Sequence, residues 1–398
     1  MKLFSFRRLL GAFAAFSFAL SAGTAPAADP PPPPQPITVA NNPVQMDPHE
    51  AIRKIKLPPG FKIGIYADQV TGARSMALSP NGTLFVGTFT VWGEKPFGKV
   101  YAVRDENGDF RADKVIEIAK DLDHPNGVAL RDGHLYVGEL SRITRYDDIE
   151  KNLEKPPAPK VIYDRLPAEF HHGWKFIRFG PDGKLYVPVG SPCNICEPKE
   201  PHGSITRMNP DGTGFEIYAR GIRNSVGMDW DPNTKELWFS DNGRDEWGND
   251  RPPEELNHAP KPGMHFGYPY RYGKNIVDTT FPTRLTDKDF TPAAVELPAH
   301  NAGLGFRFYT GKSFPEQYRN QVFLAQHGSW NRSPPDGYRV MLVHMKDGQA
   351  QGFEPFATGW LEGDRYWGRP VDIEIMPDGS LLVSDDFAGV IYRISYSP

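Results

Sequence analysis

The chain has 398 residues, 39% of them apolar and 24% charged, with a formal net charge of −4. That balance excludes a global field favouring nucleic acid or an anionic membrane surface. Glycine (39) and proline (40) are abundant but stay below the range of low-complexity disorder, which suits many short strands and turns.

Taken in chain order, Lys2, Arg7 and Arg8 precede an apolar run over residues 9–22, and Ala25-Pro26-Ala27 supplies small residues for cleavage. Residues 1–28 therefore read as an export signal. Arg7-Arg8-Leu9-Leu10 loosely resembles a twin-arginine signal, although one Arg pair favours the general secretory route. Residues 29–50 hold a run of five prolines and read as a semi-rigid spacer, ending in a short helical turn near 47–54. No other segment is long enough to span a bilayer. The expectation is a periplasmic or secreted protein, not membrane-spanning, with a single domain over 51–398.

Within that domain one pattern recurs: an apolar strand, a turn built on Asp or Asn with Gly, and a second apolar strand. Copies run through Gly82, Gly133, Gly183 and Thr234, about 50 residues apart, with a degenerate copy at 314–324 and a last one at Gly379. Asp/Asn-Gly between β-rich runs signals a hairpin, and a period of roughly 40–50 residues with paired strands is that of propeller blades. The predicted fold is all-β: a six-bladed β-propeller of four-stranded antiparallel blades. The long gap between the fourth and fifth copies predicts a loop insertion at about 246–300.

Polar groups gather just before or after these strands: Arg74, Asn126, His171-His172, Arg223-Asn224, Asp241 to Asp245, His300-Asn301, 327–332, Arg369 and Asp372. Several cationic groups converging on one mouth predict a polyanionic ligand, because Arg forks suit planar carboxylates. An acidic Gly loop beside them suits a hard cation such as calcium. A second acidic loop, 105–113, lacks EF-hand spacing and reads as a polar hairpin turn. Cys193-Asn194-Ile195-Cys196 is followed by Glu197, which excludes haem c attachment; the tetrapeptide reads as a small structural disulfide.

Six motifs carry a resemblance: His172 followed by Gly180-Pro181-Asp182, Gly221-Ile222-Arg223-Asn224, Ser240-Asp241-Asn242-Gly243, Glu255-Leu256-Asn257, His327-Gly328-Ser329-Trp330-Asn331-Arg332 and Gly368-Arg369-Pro370-Val371-Asp372. In this order they resemble the soluble pyrroloquinoline-quinone-dependent sugar dehydrogenases, which include glucose, aldose and L-sorbosone dehydrogenase-like proteins, over about 55–398. The resemblance implies pyrroloquinoline quinone (PQQ) and Ca2+ as cofactors. It places His172 as general base, Arg223 and Asn224 against the quinone, and Arg332 and Arg369 on cofactor carboxylates. The backbone carbonyls of Gly243 and Arg244 would hold the calcium. Three departures stand out: His171 replaces an Asp beside the base, Val371 replaces a second Arg, and the first blade lacks a substrate-side Gln near Arg74.

The resulting expectation is an exported oxidoreductase that oxidises an aldose or related sugar or aldehyde and passes electrons to an external quinone or cytochrome. The alternatives are a calcium-dependent lactonase- or esterase-type propeller hydrolase and a non-catalytic binding propeller.

Overall fold

The computed structural model describes residues 42–88 and 97–398; the segment read as an export signal lies outside them. The described residues form one compact unit. The hairpin turns explain much of its regularity. Gly82, Gly133, Gly183 and Gly379 all sit at φ between +78° and +86°, a left-handed conformation that glycine adopts without strain. In the fourth copy Lys235 takes that conformation instead, at φ +63°.

Each hairpin seeds a four-stranded antiparallel sheet. The first comprises Ala73–Leu78, Leu84–Thr88, Gly98–Arg104 and Lys114–Leu122. The second comprises Gly127–Arg131, His134–Gly138, Ile143–Tyr146 and Lys160–Tyr163, and the third Arg178–Phe179, Leu185–Val189, Ser204–Met208 and Glu216–Arg220. The fourth contains Met228–Trp230, Leu237–Asp241, Glu254–Ala259 and Val295–Leu297; the fifth contains Gly303–Phe308, Val322–Gln326, Arg339–Lys346 and Gln349–Ala357. The sixth is built from Pro370–Ile375, Leu381–Asp385 and Val390–Tyr396, with Phe61–Ala67 as its outermost strand.

In five sheets every residue of the second strand is buried. These strands read as unbroken apolar runs because both faces pack on neighbouring sheets. Apolar clusters join consecutive sheets: Phe85 with Val137, Tyr136 with Val187, Tyr186 with Phe239, Leu256 with Leu324 and Phe323 with Val383. Another joins Leu382 of the sixth sheet to Leu84 of the first. The molecule is thus all-β and propeller-like.

Two features depart from the reading above. Glu254–Ala259 and Val295–Leu297 are the third and fourth strands of the fourth sheet, so the excursion is 260–294 rather than 246–300. Its Met264–His265 pairs in parallel with Ala219–Arg220, adding a fifth strand to the third sheet. Within the segment read as spacer, Asn42–Pro43 pairs in parallel with Arg365–Tyr366, and a short helix, Pro48–Ala51, follows, capped by Asp47. The 105–113 loop is a hairpin turn whose Asp105 and Asp113 carboxylates accept its own N–H groups.

Candidate active site

Polar residues at the starts of first strands meet across neighbouring sheets, as Arg74 does with Asn126 at 2.7 Å. Acids at the ends of second strands set these loops. Asp241 accepts the backbone N–H groups of Arg223 and Asn224 at 2.9 and 2.6 Å. Asp385 does the same for Arg369 at 2.9 Å, and Glu139 for Asp123 at 3.3 Å. A carboxylate that accepts backbone amides fixes loop conformation at small entropic cost, since strand pairing already holds it.

His172 sits in this setting at φ +52°. Its Nδ1 lies 2.8 Å from the carbonyl of Ser191. A carbonyl only accepts, so Nδ1 carries the proton and the Nε2 lone pair is left for chemistry. Burial, reinforced by Arg223 and His171, holds the imidazole well below its ordinary pKa. The close approach that makes this geometry rests on Gly190: a Cβ there would stand 2.5 Å from His172 Cβ and 2.7 Å from its carbonyl oxygen. Lys175, buried and pushed down to about 7 by that burial, pins the next residue by donating to the Gly173 carbonyl at 2.7 Å.

Arg223 lies next to this histidine through Ser191, whose N–H donates to the Arg223 carbonyl at 2.8 Å. Its guanidinium is almost wholly committed. Nε donates to the Asn194 carbonyl at 2.9 Å, Nη1 to the Asn242 carbonyl at 3.1 Å, and Nη2 to Asn194 Oδ1 at 2.9 Å and Asp245 Oδ2 at 2.7 Å. Arg223 is therefore a buried clasp between loops as well as a cation at the mouth. Asp245 Oδ1 accepts from Asn331 at 2.8 Å, which ties in the 327–332 segment. Asn224 presents a partly exposed side chain beside them.

A second group forms across the fifth, sixth and first sheets. Asp386 pairs with Arg74 at 2.9 Å and with His327 at 2.9 Å, and Arg74 Nε donates to Asn126 at 2.7 Å. Burial would raise the Asp386 carboxyl, but His327, Arg74 and Arg369 hold it below the ordinary range. The Arg369 guanidinium makes only long hydrogen bonds, 3.3 Å to the His327 carbonyl and 3.4 Å to that of Gly328, with no hydrogen-bonded carboxylate among the described residues. Arg332 turns toward the 249–250 backbone and Asp250, and its buried Nε has no partner among the described residues. Trp330 is 55% exposed beside it, whereas Trp367 is buried.

At the acidic Gly loop, the Gly243 N–H donates to Glu254 at 3.0 Å. The carbonyls of Gly243 and Arg244 accept no hydrogen bond from the described residues, while the Arg244 side chain is held by Asp278 at 2.6 Å. Burial pushes the Glu254 carboxyl up to about 8 and raises Glu255 and Asp241 as well. Asp372 departs from the expected mouth. It faces deeper along the inner strands, accepting from Met76 N–H at 2.9 Å and pairing with Arg307 at 3.2 Å, because it lies two residues inside its strand. The sequence reading overlooked Ser191, Asn194, Asp385 and Asp386. Only the acids left a signal: Ser384-Asp385 repeats Ser240-Asp241 at the same place in its sheet.

A family model described as Domain of unknown function (DUF7133) matches residues 47–395. The chain belongs to that family. An uncharacterized protein of Borreliella burgdorferi is 34% identical over 363 residues, spanning 87% of this chain and 92% of that protein. The aldose sugar dehydrogenase YliI of Escherichia coli is 25% identical over 285 residues, 68% of this chain and 69% of that one. Among solved structures, the calcium structure of Trichoderma reesei Carbohydrate-Active Enzymes Family AA12 superposes with a TM-score of 0.73 at 18% identity, covering 86% of this chain and 97% of that one. The holo form of the pyranose dehydrogenase PQQ domain of Coprinopsis cinerea gives 0.69 at 18% identity, with 86% and 97% covered. The chain therefore has the fold of PQQ-dependent sugar dehydrogenases. No helix among the described residues is long and apolar enough to cross a membrane.

Proposed function

We propose that this protein is an exported quinoprotein oxidoreductase that oxidises an aldose or related sugar or aldehyde, with His172 as general base. The observation that carries this reading is the His172 tautomer: Nδ1–H held by the Ser191 carbonyl, Nε2 unprotonated and the ring kept neutral by burial. As hydride leaves the sugar carbon, Nε2 takes the proton of the hydroxyl on that same carbon. When bound, PQQ with Ca2+ supplies the two-electron acceptor and a polarising charge.

The residues present fit those groups. The orphaned Nε of Arg332 and the guanidinium of Arg369, which has no hydrogen-bonded carboxylate among the described residues, suit a polycarboxylate. Arg223 and Asn224 would lie against the ring system. The carbonyls of Gly243 and Arg244 have the oxygen chemistry that calcium takes, and three buried carboxyls nearby would be stabilised in their charged form by such a cation. Trp330 offers an exposed face for a sugar ring. The six sheets, joined in series by apolar clusters that include one from the sixth to the first, support six blades closed as a ring, with 260–294 as the loop excursion. Electrons would leave to a soluble or membrane-borne quinone or cytochrome.

The test is a titration of metal-stripped protein with PQQ and calcium, following quinone absorbance and dye reduction on a panel of aldoses and aldehydes. Saturable, calcium-dependent binding with sugar-dependent bleaching is expected. No binding at micromolar quinone would overturn the reading.

A further inference from the structure

The Cys193–Cys196 disulfide encloses two residues, and one of them makes four polar contacts with Arg223 and Asp245. Asn194 accepts Arg223 Nε on its carbonyl at 2.9 Å and Arg223 Nη2 on Oδ1 at 2.9 Å. The same Oδ1 accepts the Asp245 N–H at 2.8 Å, and Nδ2 donates back to the Asp245 carbonyl at 3.3 Å. The loop itself is moored by Tyr268, whose hydroxyl lies 3.1 Å from the Cys196 N–H and 2.9 Å from Ser191 Oγ. Asn194 thus joins three separate stretches of chain: the disulfide loop, the Arg223 segment and the 242–245 loop. A primary amide suits this task because its oxygen accepts two donors while its nitrogen donates, without adding charge next to the Asp245 carboxylate.

We propose that Asn194 is a positioning residue for the mouth of the molecule, with the Cys193–Cys196 disulfide as its tether. It orients the Arg223 fork and, through the Asp245 N–H, sets where the Gly243 and Arg244 carbonyls stand. The inference rests on the reading that this mouth takes PQQ and calcium, and it deepens that reading. Partners of this kind, one step removed from the ligand, are typically worth about 10- to 100-fold in affinity.

The experiment compares wild type, Asn194→Ala and Asn194→Asp by two readouts: calcium-dependent quinone binding, and hydrogen exchange of the metal-free protein. Asn194→Ala should weaken quinone binding by about tenfold or more and speed exchange at the Asp245 amide, while amides of Leu237–Asp241 keep their protection. Asn194→Asp keeps both accepted bonds but loses the amide donor and sets a second carboxylate beside Asp245, so it should fall between wild type and Asn194→Ala in both readouts. Wild-type affinity and exchange in Asn194→Ala, or an Asp variant as impaired as the Ala variant, would overturn the proposal. If wild type binds no quinone, the parent reading fails and the exchange data alone decide the positioning role. Should Asn194→Ala not fold, the Cys193→Ser/Cys196→Ser double variant replaces it: faster Asp245 exchange supports the tether, and unchanged exchange refutes it.

Discussion

Arg223→Ala separates a clasp from a free ligand-binding cation, and the structure sets the expected size. The guanidinium makes four hydrogen bonds, one of them an ion pair to Asp245. At about 1.5–3 kcal/mol for each charged bond, simple addition gives about 6–12 kcal/mol, an upper bound because bonds in one network are not additive. Truncation leaves the Asp245 carboxylate without its cation, but that side chain is 17% exposed, so water recovers part of the loss. Removing one partner of a buried pair costs about 3–5 kcal/mol, and we expect Arg223→Ala to fall there, a large share of the total stability of an ordinary domain. The assay is urea denaturation of the cofactor-free protein followed by tryptophan fluorescence. Arg223→Lys, which keeps a charge for Asp245 but loses the fork, should fall between the two. If cofactor-free Arg223→Ala unfolds within about 1 kcal/mol of wild type, the clasp is refuted and the guanidinium is free in solution.

His172→Gln should leave quinone binding and folding near wild type while lowering turnover by about 10²-fold or more, measured by dye reduction with saturating sugar. Gly190→Ala should press on His172 Cβ, costing about 1–3 kcal/mol of stability and lowering kcat more than it raises KM; unchanged kcat would sink the packing argument. The base acts unprotonated and its pKa is depressed below 6.5 by burial. The acid limb of kcat/KM should therefore lie below pH 6.5, with activity persisting as pH falls through that value. A limb at or above 6.5 would exclude His172 as the group that titrates.

Much of the architecture is written in local chemistry. The Asp/Asn-Gly turns locate the hairpins, because the left-handed turn position disfavours other residues, and the apolar runs after them mark strands buried on both faces. The strand Glu254–Ala259 escaped notice because Glu254, Glu255 and Asn257 are buried yet polar, which breaks the hydropathy pattern that reveals strands. Arg223 and the 241–245 loop that holds it were legible as site residues, but Asn194 was not: it is 29 positions away, and nothing in the spacing shows that a disulfide loop folds back onto Arg223. Asp372 looked like part of the mouth only because Arg369 is near it in sequence; two residues along a strand carry it inward. Asp385 was within reach, since it ends the same Ser-Asp motif seen at Ser240-Asp241.

The sixth sheet is completed by the earliest long strand among the described residues, with Phe61 opposite Tyr396 and Ile63 opposite Ile394. A growing polypeptide has to hold Phe61–Ala67 unpaired until its final residues have been made. That pairing is a contact of very large sequence separation, the kind that slows folding and leaves an edge exposed while it waits. The same layout places Phe61–Ala67 and Val390–Tyr396 side by side in one sheet. Joining them through a short linker and reopening the backbone at an exposed hairpin tip would keep the pairings of the six main sheets while turning that distant contact into a local one, at the loss of the Asn42–Pro43 strand.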